Sequence, residues 1–436
     1  WGTFLLHPAR NLFLTFLALI AAGTLLLRTP AATTNGIAVV DAAFTAVSAV
    51  CVTGLTVIDV GATLTGAGQL FLLILIQLGG LGIMSAITLA LHAFGRLSLN
   101  QEKLMHSMVE PDERRDLFHS LLLILKFAFA TELIGATILF LCFLHDGATP
   151  LRAAWLGVFT AVSAFCNAGF FPNAENLIAF ADHPVLLHTV ALLIILGGMA
   201  PSAALVWPRW LTGRPVPLPA RLALGTTLFL LLFGAGALLV FEWNGILGEF
   251  SIADKFTHAW FQSATLRTAG FQSVPLEATG AAAIIVMLIL MFIGGSPGGT
   301  AGGVKTTTIA ILALSVRAAT TGRNSIVVRE RRIPETLVIQ AATIVSASFL
   351  ILLLTVMALL ATQEISARDL VFEATSALAT VGLTVGATPR LDEIGKLIVM
   401  AAMFIGRIGP LTFFLLLSER SGVREPVRPD ARIMLS

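Results

Sequence analysis

The chain has 436 residues, 56% of them hydrophobic and only 12% charged, about half the ~25% charge of an ordinary globular protein, which excludes a water-soluble fold. A net charge of +2 excludes a domain held to a polyanion by bulk charge, so nucleic acid is not an expected partner. The three cysteines, Cys51, Cys142 and Cys166, form no CxxC or metal-ligand spacing, which excludes a disulfide framework or redox centre.

In chain order, apolar runs with few or no charges fall at 12–27, 70–91, 118–144, 185–206, 222–241, 281–315, 337–361 and 397–417. They predict eight helices spanning a hydrocarbon core of ~30 Å, hence an all-α polytopic membrane protein. The first run could pass for a leader, but no small-residue cleavage site follows it, and it reads as a span. Between the first and second, third and fourth, fifth and sixth, and seventh and eighth runs lies a shorter apolar segment that ends in a glycine-containing turn. Helices of about a dozen residues, rising ~1.5 Å per residue, cannot cross the core, so these four segments are predicted to be re-entrant.

Basic residues set the orientation. Seventeen of the 27 lysines and arginines fall at the termini and in the connections without re-entrant segments, among them Arg96, Lys103, Arg114, Arg115, Arg317, Arg323, Arg329, Arg331 and Arg332. Six (Arg28, Arg152, Lys255, Arg267, Arg368 and Arg390) fall in the loops that carry those segments. The bias predicts a multi-pass protein of the cytoplasmic (inner) membrane with both termini in the cytoplasm and the re-entrant segments entering from outside.

The re-entrant segments repeat. Phe44-Thr-Ala-Val-Ser-Ala49 recurs letter for letter as Phe159-Thr-Ala-Val-Ser-Ala164, and each is followed five residues later by a glycine, Gly54 or Gly169. Weaker copies place Trp260 ten residues before Gly270 and Phe372 ten before Gly382. The chain therefore reads as four helix, pore-loop, helix units in tandem, at 1–95, 96–208, 209–333 and 334–436. Four half-helices entering from one side surround an axis most naturally, with their negative dipole ends and backbone carbonyls available to replace the water shell of a cation. The expected ion filter is Val52, Thr53 and Gly54; Asn167, Ala168 and Gly169; Thr268, Ala269 and Gly270; and Thr380, Val381 and Gly382. Glycine suits these turns because it tolerates positive φ and lets backbone approach the ion.

Three stretches carry a family resemblance: Ser48-Ala-Val-Cys-Val-Thr-Gly-Leu-Thr56, the run from Gly294 to Thr308, and Phe404-Ile-Gly-Arg-Ile-Gly-Pro410. From about Asp41 to Pro410 the sequence resembles the Trk/Ktr/HKT potassium transporter superfamily. It looks most like the membrane subunit of Ktr systems, because Trk-type members carry an extra pair of spans before the first repeat. The resemblance implies potassium uptake through a pseudo-fourfold pore, a homodimer with one pore per protomer, and a cytosolic nucleotide-binding ring as a separate partner. Family members with serine at the first filter glycine tend to pass sodium, so Gly54 favours potassium. Whether sodium couples to or activates transport, and whether flux is channel-like, the sequence leaves open.

The run Gly294, Gly295, Ser296, Pro297, Gly298, Gly299, Thr300, Ala301, Gly302 and Gly303 must break the sixth run, since proline and consecutive glycines abolish a helix. Irregular backbone at membrane depth survives where it faces protein or a water-filled cavity; in the family the matching stretch is an intramembrane gate loop. Arg407, in the last span, is expected to face the bundle interior, where a guanidinium opposes cations and suits a gate. The family has an arginine at the matching position. Glu132 and Lys126 are six positions apart on one helix and cannot face each other; packing or interhelical pairing is expected of them, while Lys305 could serve either loop or packing. Asp41, Asp254 and Asp369 stand near the starts of three re-entrant helices, where a carboxylate complements the dipole. Two enzymatic readings fail. Gly294-Gly-Ser-Pro-Gly298 has no strand before it and no histidine after it, the last being His258. The approach to a Walker A motif places Val304 between the second glycine and Lys305. The alternative that survives is a sodium or mixed monovalent-cation pathway of the same fold; an intramembrane hydrolase and an alternating-access carrier of two inverted halves fit less well.

Overall fold

The computed structural model describes residues 8–82, 117–323 and 325–409. In chain order it contains α1 (Pro8–Leu27), α2 (Val39–Val50), α3 (Gly66–Gly80), α4 (Leu117–His145), α5 (Pro150–Phe165), α6 (Pro184–Gly197) and α7 (Leu218–Glu242). It continues with α8 (Ile252–Thr265), α9 (Ala281–Phe292), α10 (Thr306–Thr320), strands β1 (Ile326–Val328) and β2 (Arg331–Ile333), α11 (Glu335–Thr362), α12 (Ala367–Leu378) and α13 (Glu393–Ile408). By length and composition three described helices suffice to cross a membrane: 122–145 within α4, α7 and α11. The protein is membrane-embedded, and large apolar side chains such as Leu133, Val240 and Ile339 stand exposed on these three helices.

α2, α5, α8 and α12 are the predicted re-entrant segments. They have 12, 16, 14 and 12 residues, or about 18–24 Å at 1.5 Å per residue, short of a bilayer core. Serine caps start two of them: Ser251 and Ser366 accept the backbone N–H of Asp254 and Asp369 in the first turn. Asp41, the first-turn acid of α2, also pairs with Lys396 of α13 at 2.7 Å.

The packing closes on itself. Each re-entrant helix lies against the outgoing helix of the preceding unit: α5 on α3, α8 on α6, α12 on α9, and α2 on α13. Apolar side chains gain little by leaving lipid for protein, so tight packing in a bilayer relies on small residues that let backbones approach. Gly79, Gly197 and Gly406 do this. A Cβ there would stand 2.2 Å from the Val50 oxygen, 1.8 Å from the Phe165 oxygen and 1.8 Å from the Leu378 oxygen, the last carbonyls of α2, α5 and α12.

Several sequence expectations change. The run at 185–206 is not one helix: α6 stops at Gly197, and short helices resume at Pro201 and Trp207. Pro201 cannot donate to the ladder and holds Ala200 extended, with ψ 139°. The run at 281–315 breaks where expected, between α9 and α10. α3 ends at Gly80 and α13 at Ile408, each followed within two residues by a positive-φ glycine, Gly82 or Gly409. The remainders of those two runs, the connection with Arg96, Lys103, Arg114 and Arg115, and the C-terminal tail lie outside the described residues. The connection after α10 folds as a two-stranded antiparallel hairpin whose two-residue turn, Arg329-Glu330, has positive φ at both positions. Arg329, Arg331 and Arg332 are exposed on it.

Candidate functional site

The four re-entrant helices end in turns of one kind. Gly54, Gly169, Gly270 and Gly382 have φ of +97, +67, +78 and +92°. The residue two positions earlier, Val52, Asn167, Thr268 or Thr380, is also left-handed, with φ of 53, 59, 68 and 53°. Asparagine tolerates this region, but a β-branched residue there is strained by about 1–2 kcal/mol and persists only where its surroundings enforce it. Three such residues at matching places mark the turns as built.

The glycines meet one another in order. A Cβ on Gly54 would stand 2.5 Å from the Ala168 oxygen, on Gly169 2.7 Å from the Ala269 oxygen, on Gly270 2.6 Å from the Val381 oxygen, and on Gly382 2.0 Å from the Thr53 oxygen. The contacts run from the first turn to the second, third and fourth and back to the first. Of the twelve residues expected from sequence to form a filter, the four glycines with Thr53, Ala168, Ala269 and Val381 are thereby brought into one closed ring, with a carbonyl at each seam and no room for a side chain.

Each turn is stitched to its own helix by a hydroxyl. Ser48 accepts from Gly54 N–H at 3.0 Å and Ser376 from Gly382 N–H at 3.1 Å. Ser163 donates to the Phe170 carbonyl at 2.8 Å, and Thr265 bonds both the N–H and the carbonyl of Phe271 at 2.8 Å. These bonds correct the register of the third copy. The aromatic that α8 buries completely, as α2, α5 and α12 bury Phe44, Phe159 and Phe372, is Phe261, while Trp260 is only half-buried. In all four helices the hydroxyl follows the buried phenylalanine by four residues, about one turn. The third turn is therefore one residue shorter between hydroxyl and glycine, which shifts its buried aromatic from Trp260 to Phe261 when counted back from Gly270.

The 294–303 run lies beneath this ring. Its ends are pinched together, Gly294 N–H bonding the Val304 oxygen at 2.9 Å and Val304 N–H the Phe292 oxygen at 3.0 Å. Its middle docks on broken α6: Ser296 N–H bonds the Gly198 oxygen, Thr300 N–H the Gly197 oxygen, both at 2.9 Å, and the Thr300 hydroxyl bonds the Phe165 oxygen at 3.0 Å. Gly302 reaches the ring itself, its N–H on the Thr268 hydroxyl at 3.1 Å, and a Cβ there would stand 2.0 Å from the Thr380 hydroxyl oxygen. Three cations hold the run by its carbonyls. Arg407 donates to Thr300 at 2.7 Å and also to Gly79, Lys305 donates to Ala301 at 2.6 Å, and Arg267 donates to Gly294 at 3.2 Å. Arg267, counted from sequence with the outer-loop charges, is instead buried at the C-terminal end of α8 beside this run.

Glu132 is buried on α4 and accepts from Gln77 of α3 at 3.0 Å, the interhelical pairing expected of it, whereas Lys126 is exposed. Cys166 lies against the same Gln77 at 3.5 Å. On the other side of the ring a cavity of about 250 Å³ abuts Gly54 and Gly169 and is bordered by Asp59, Asn173 and Asn176. Asn176 donates to the Gly169 oxygen of its own turn at 3.1 Å and accepts the Gln272 N–H at 3.4 Å, and the Gln272 side chain donates to the Thr384 oxygen at 2.9 Å, so the second turn is tied to the third and the third to the fourth. Sequence reasoning missed these two amides, the glycines at 79, 197 and 406, and Arg267. The three glycines share one signal, recurring 25, 28 and 24 residues after the glycine of their own turn.

Comparison with known proteins gives one answer at three levels. Residues 9–422 match the TrkH family, described as a cation transport protein. The chain is 34% identical to the Ktr system potassium uptake protein B of Bacillus subtilis (strain 168), over 96% of this chain and 95% of that protein. It is also 34% identical to the potassium/sodium uptake protein NtpJ of Enterococcus hirae, over 99% of this chain and 97% of that one. The crystal structure of the potassium transporter TrkH from Vibrio parahaemolyticus superposes with a TM-score of 0.73 at 20% identity, covering 95% of this chain and 86% of that one; at that identity the likeness shows the fold.

Proposed function

The chain belongs to the TrkH family of cation transport proteins, and from that premise we propose that it is the membrane subunit of a potassium uptake system. Potassium passes through a pseudo-fourfold pore whose filter is the ring built from Gly54, Gly169, Gly270, Gly382 and the carbonyls between them. The 294–303 run, with Arg407, is the gate beneath it. The single observation that carries this reading is the closed order of the four glycine–carbonyl contacts. Such a ring offers oxygens around one axis at the ends of four helix dipoles, which replaces the hydration shell of a monovalent cation.

The protein works in the cytoplasmic membrane with both termini inside, as a homodimer with one pore per protomer, under the control of a separate cytosolic nucleotide-binding ring. Support for the partner comes from the name of the B. subtilis relative, which assigns that protein to a Ktr system. Sodium is the second reading, as coupling ion or co-permeant, and rests on the potassium/sodium name of the E. hirae relative. Uptake of rubidium, potassium and sodium into proteoliposomes, with each gradient imposed separately, tests both. Flux driven by a potassium gradient alone supports a conducting pore; flux that requires sodium assigns coupling; absence of potassium flux from folded protein overturns the reading.

The exposed hairpin is where the regulatory ring docks, together with the 96–115 connection. Reversing charge at Arg329, Arg331 and Arg332 is expected to weaken co-purification with that ring while leaving the transporter folded. Undiminished co-purification would leave these arginines only their part in orienting the chain.

A further inference from the structure

The residue after each buried phenylalanine occupies the same position on all four re-entrant helices, three residues before the hydroxyl that holds the turn. It is Thr45, Thr160, Gln262 and Glu373 in turn, each buried. Glu373 is the one acidic member, wholly enclosed, and among the described residues no lysine or arginine nitrogen lies within 4 Å of it. A buried carboxylate without a counter-ion is expensive unless donors surround it, and donors do. The hydroxyl of Thr388 donates to Oε2 at 2.6 Å and that of Thr384 to Oε1, and the backbone N–H groups of Ala387 and Thr388 also face it. Thr384 accepts the N–H of Gly386 at 3.0 Å, which commits its own proton to Glu373.

Thr384 is two residues beyond Gly382, on the outer lip of the fourth turn. Its carbonyl is fixed separately by Gln272, two residues beyond Gly270. The lip of the fourth turn is thus pinned from behind by Glu373 and from the side by the third turn. The other three helices hold their turns with neutral groups.

Building on the potassium-pore reading above, we infer that Glu373 is a positioning residue that sets the cation preference of the filter by clamping the segment Thr384–Thr388. Its two carboxylate oxygens accept both hydroxyls at once, so the lip keeps one conformation whichever ion sits in the ring. Glutamine has the same shape but one acceptor fewer, and the hydroxyl facing its –NH2 must turn its own proton elsewhere, with only the longer Thr388–Thr384 hydroxyl contact at 3.4 Å to receive it. In Glu373→Gln, Thr384 or Thr388 loses its acceptor and the lip relaxes.

The test is competition between potassium and sodium for rubidium uptake by the purified full-length protein in proteoliposomes. Glu373→Gln is expected to lower the preference for potassium over sodium by about tenfold, the low end of what one hydrogen bond to a charged group is worth. The maximal rubidium rate should change much less. Thr384→Val combined with Thr388→Val is expected to produce the same fall, and adding Glu373→Gln to that pair no further one. A variant that loses rate but keeps the wild-type preference would make Glu373 a packing residue and overturn the inference. Should Glu373→Gln fail to fold, the threonine pair decides alone, since a wild-type preference there breaks the clamp argument. Wild-type protein that shows no potassium preference would instead overturn the pore reading, so the two failures are distinguishable.

Discussion

Replacing Gly382 with alanine is expected to abolish potassium uptake. The new methyl carbon would lie 2.0 Å from the Thr53 oxygen, and the backbone sits at φ +92°. The conformation alone costs an L-residue about 1–2 kcal/mol; the steric conflict is with a backbone carbonyl and cannot be relieved by turning a side chain. Either the fourth turn or the first must move, and the carbonyl at that seam leaves the axis. A fall in rubidium uptake of at least ~tenfold is expected if those carbonyls coordinate the ion. The other positions should follow the available space. Gly54, at 2.5 Å from the Ala168 oxygen, is a milder site, and Gly54→Ser is expected to admit sodium and reduce the potassium preference before it stops transport. Normal uptake and preference in folded Gly382→Ala protein would remove the ring from the conduction path.

Basal flux should rise when the contact between Arg407 and the 294–303 run is broken. The guanidinium donates to the Thr300 oxygen, so the charge is both satisfied and held beneath the ring. If the run is the gate proposed above, opening must break that bond together with the contacts the run makes on α6 and on Thr268. Arg407→Ala removes a positive charge from beneath the ring, on the proposed path of the cation. Deleting residues 298–302 removes the acceptor and the Gly302 contact with the ring. Each change is expected to raise potassium flux without the regulatory partner, and the double change should give less than the sum of their free-energy effects, with a coupling of about 0.5–3 kcal/mol, because both act on one closed-state contact. Wild-type flux from both single variants, in protein shown to be folded in the membrane, would locate the gate elsewhere.

Repetition is what made so much of the site readable. The hexapeptide at Phe44 and Phe159 and the glycines at 54, 169, 270 and 382 were legible because the same backbone problem, a short helix ending in a left-handed turn, is solved four times with the same few residues. Glycine was the informative letter, since its requirement is local: positive φ and a close backbone neighbour. The break at 294–303 was legible for a similar reason, as a proline among six glycines within ten residues leaves too little helix propensity to continue a span. Register was less secure. Trp260 matched by counting back from the glycine, but the structure buries Phe261, because the helix counts from its own hydroxyl, Thr265, and the turn that follows is one residue shorter.

By itself, then, the sequence determined a membrane-embedded helical chain, the four turns and the loop that interrupts the sixth run, all of which follow from hydropathy and from glycine and proline chemistry along a single stretch of backbone. Only the tertiary structure decided what those stretches meet. It closed the turns into a ring through Thr53 and Gly382, 329 residues apart, and it placed Arg267 under that ring instead of in an outer loop. It also turned Glu373 toward Thr384 and Thr388. Charge and hydropathy patterns carry no information about such partners, because whether a buried guanidinium or carboxylate is tolerated depends on carbonyls, hydroxyls and N–H groups that neighbouring elements and distant turns bring to it only when the chain is folded.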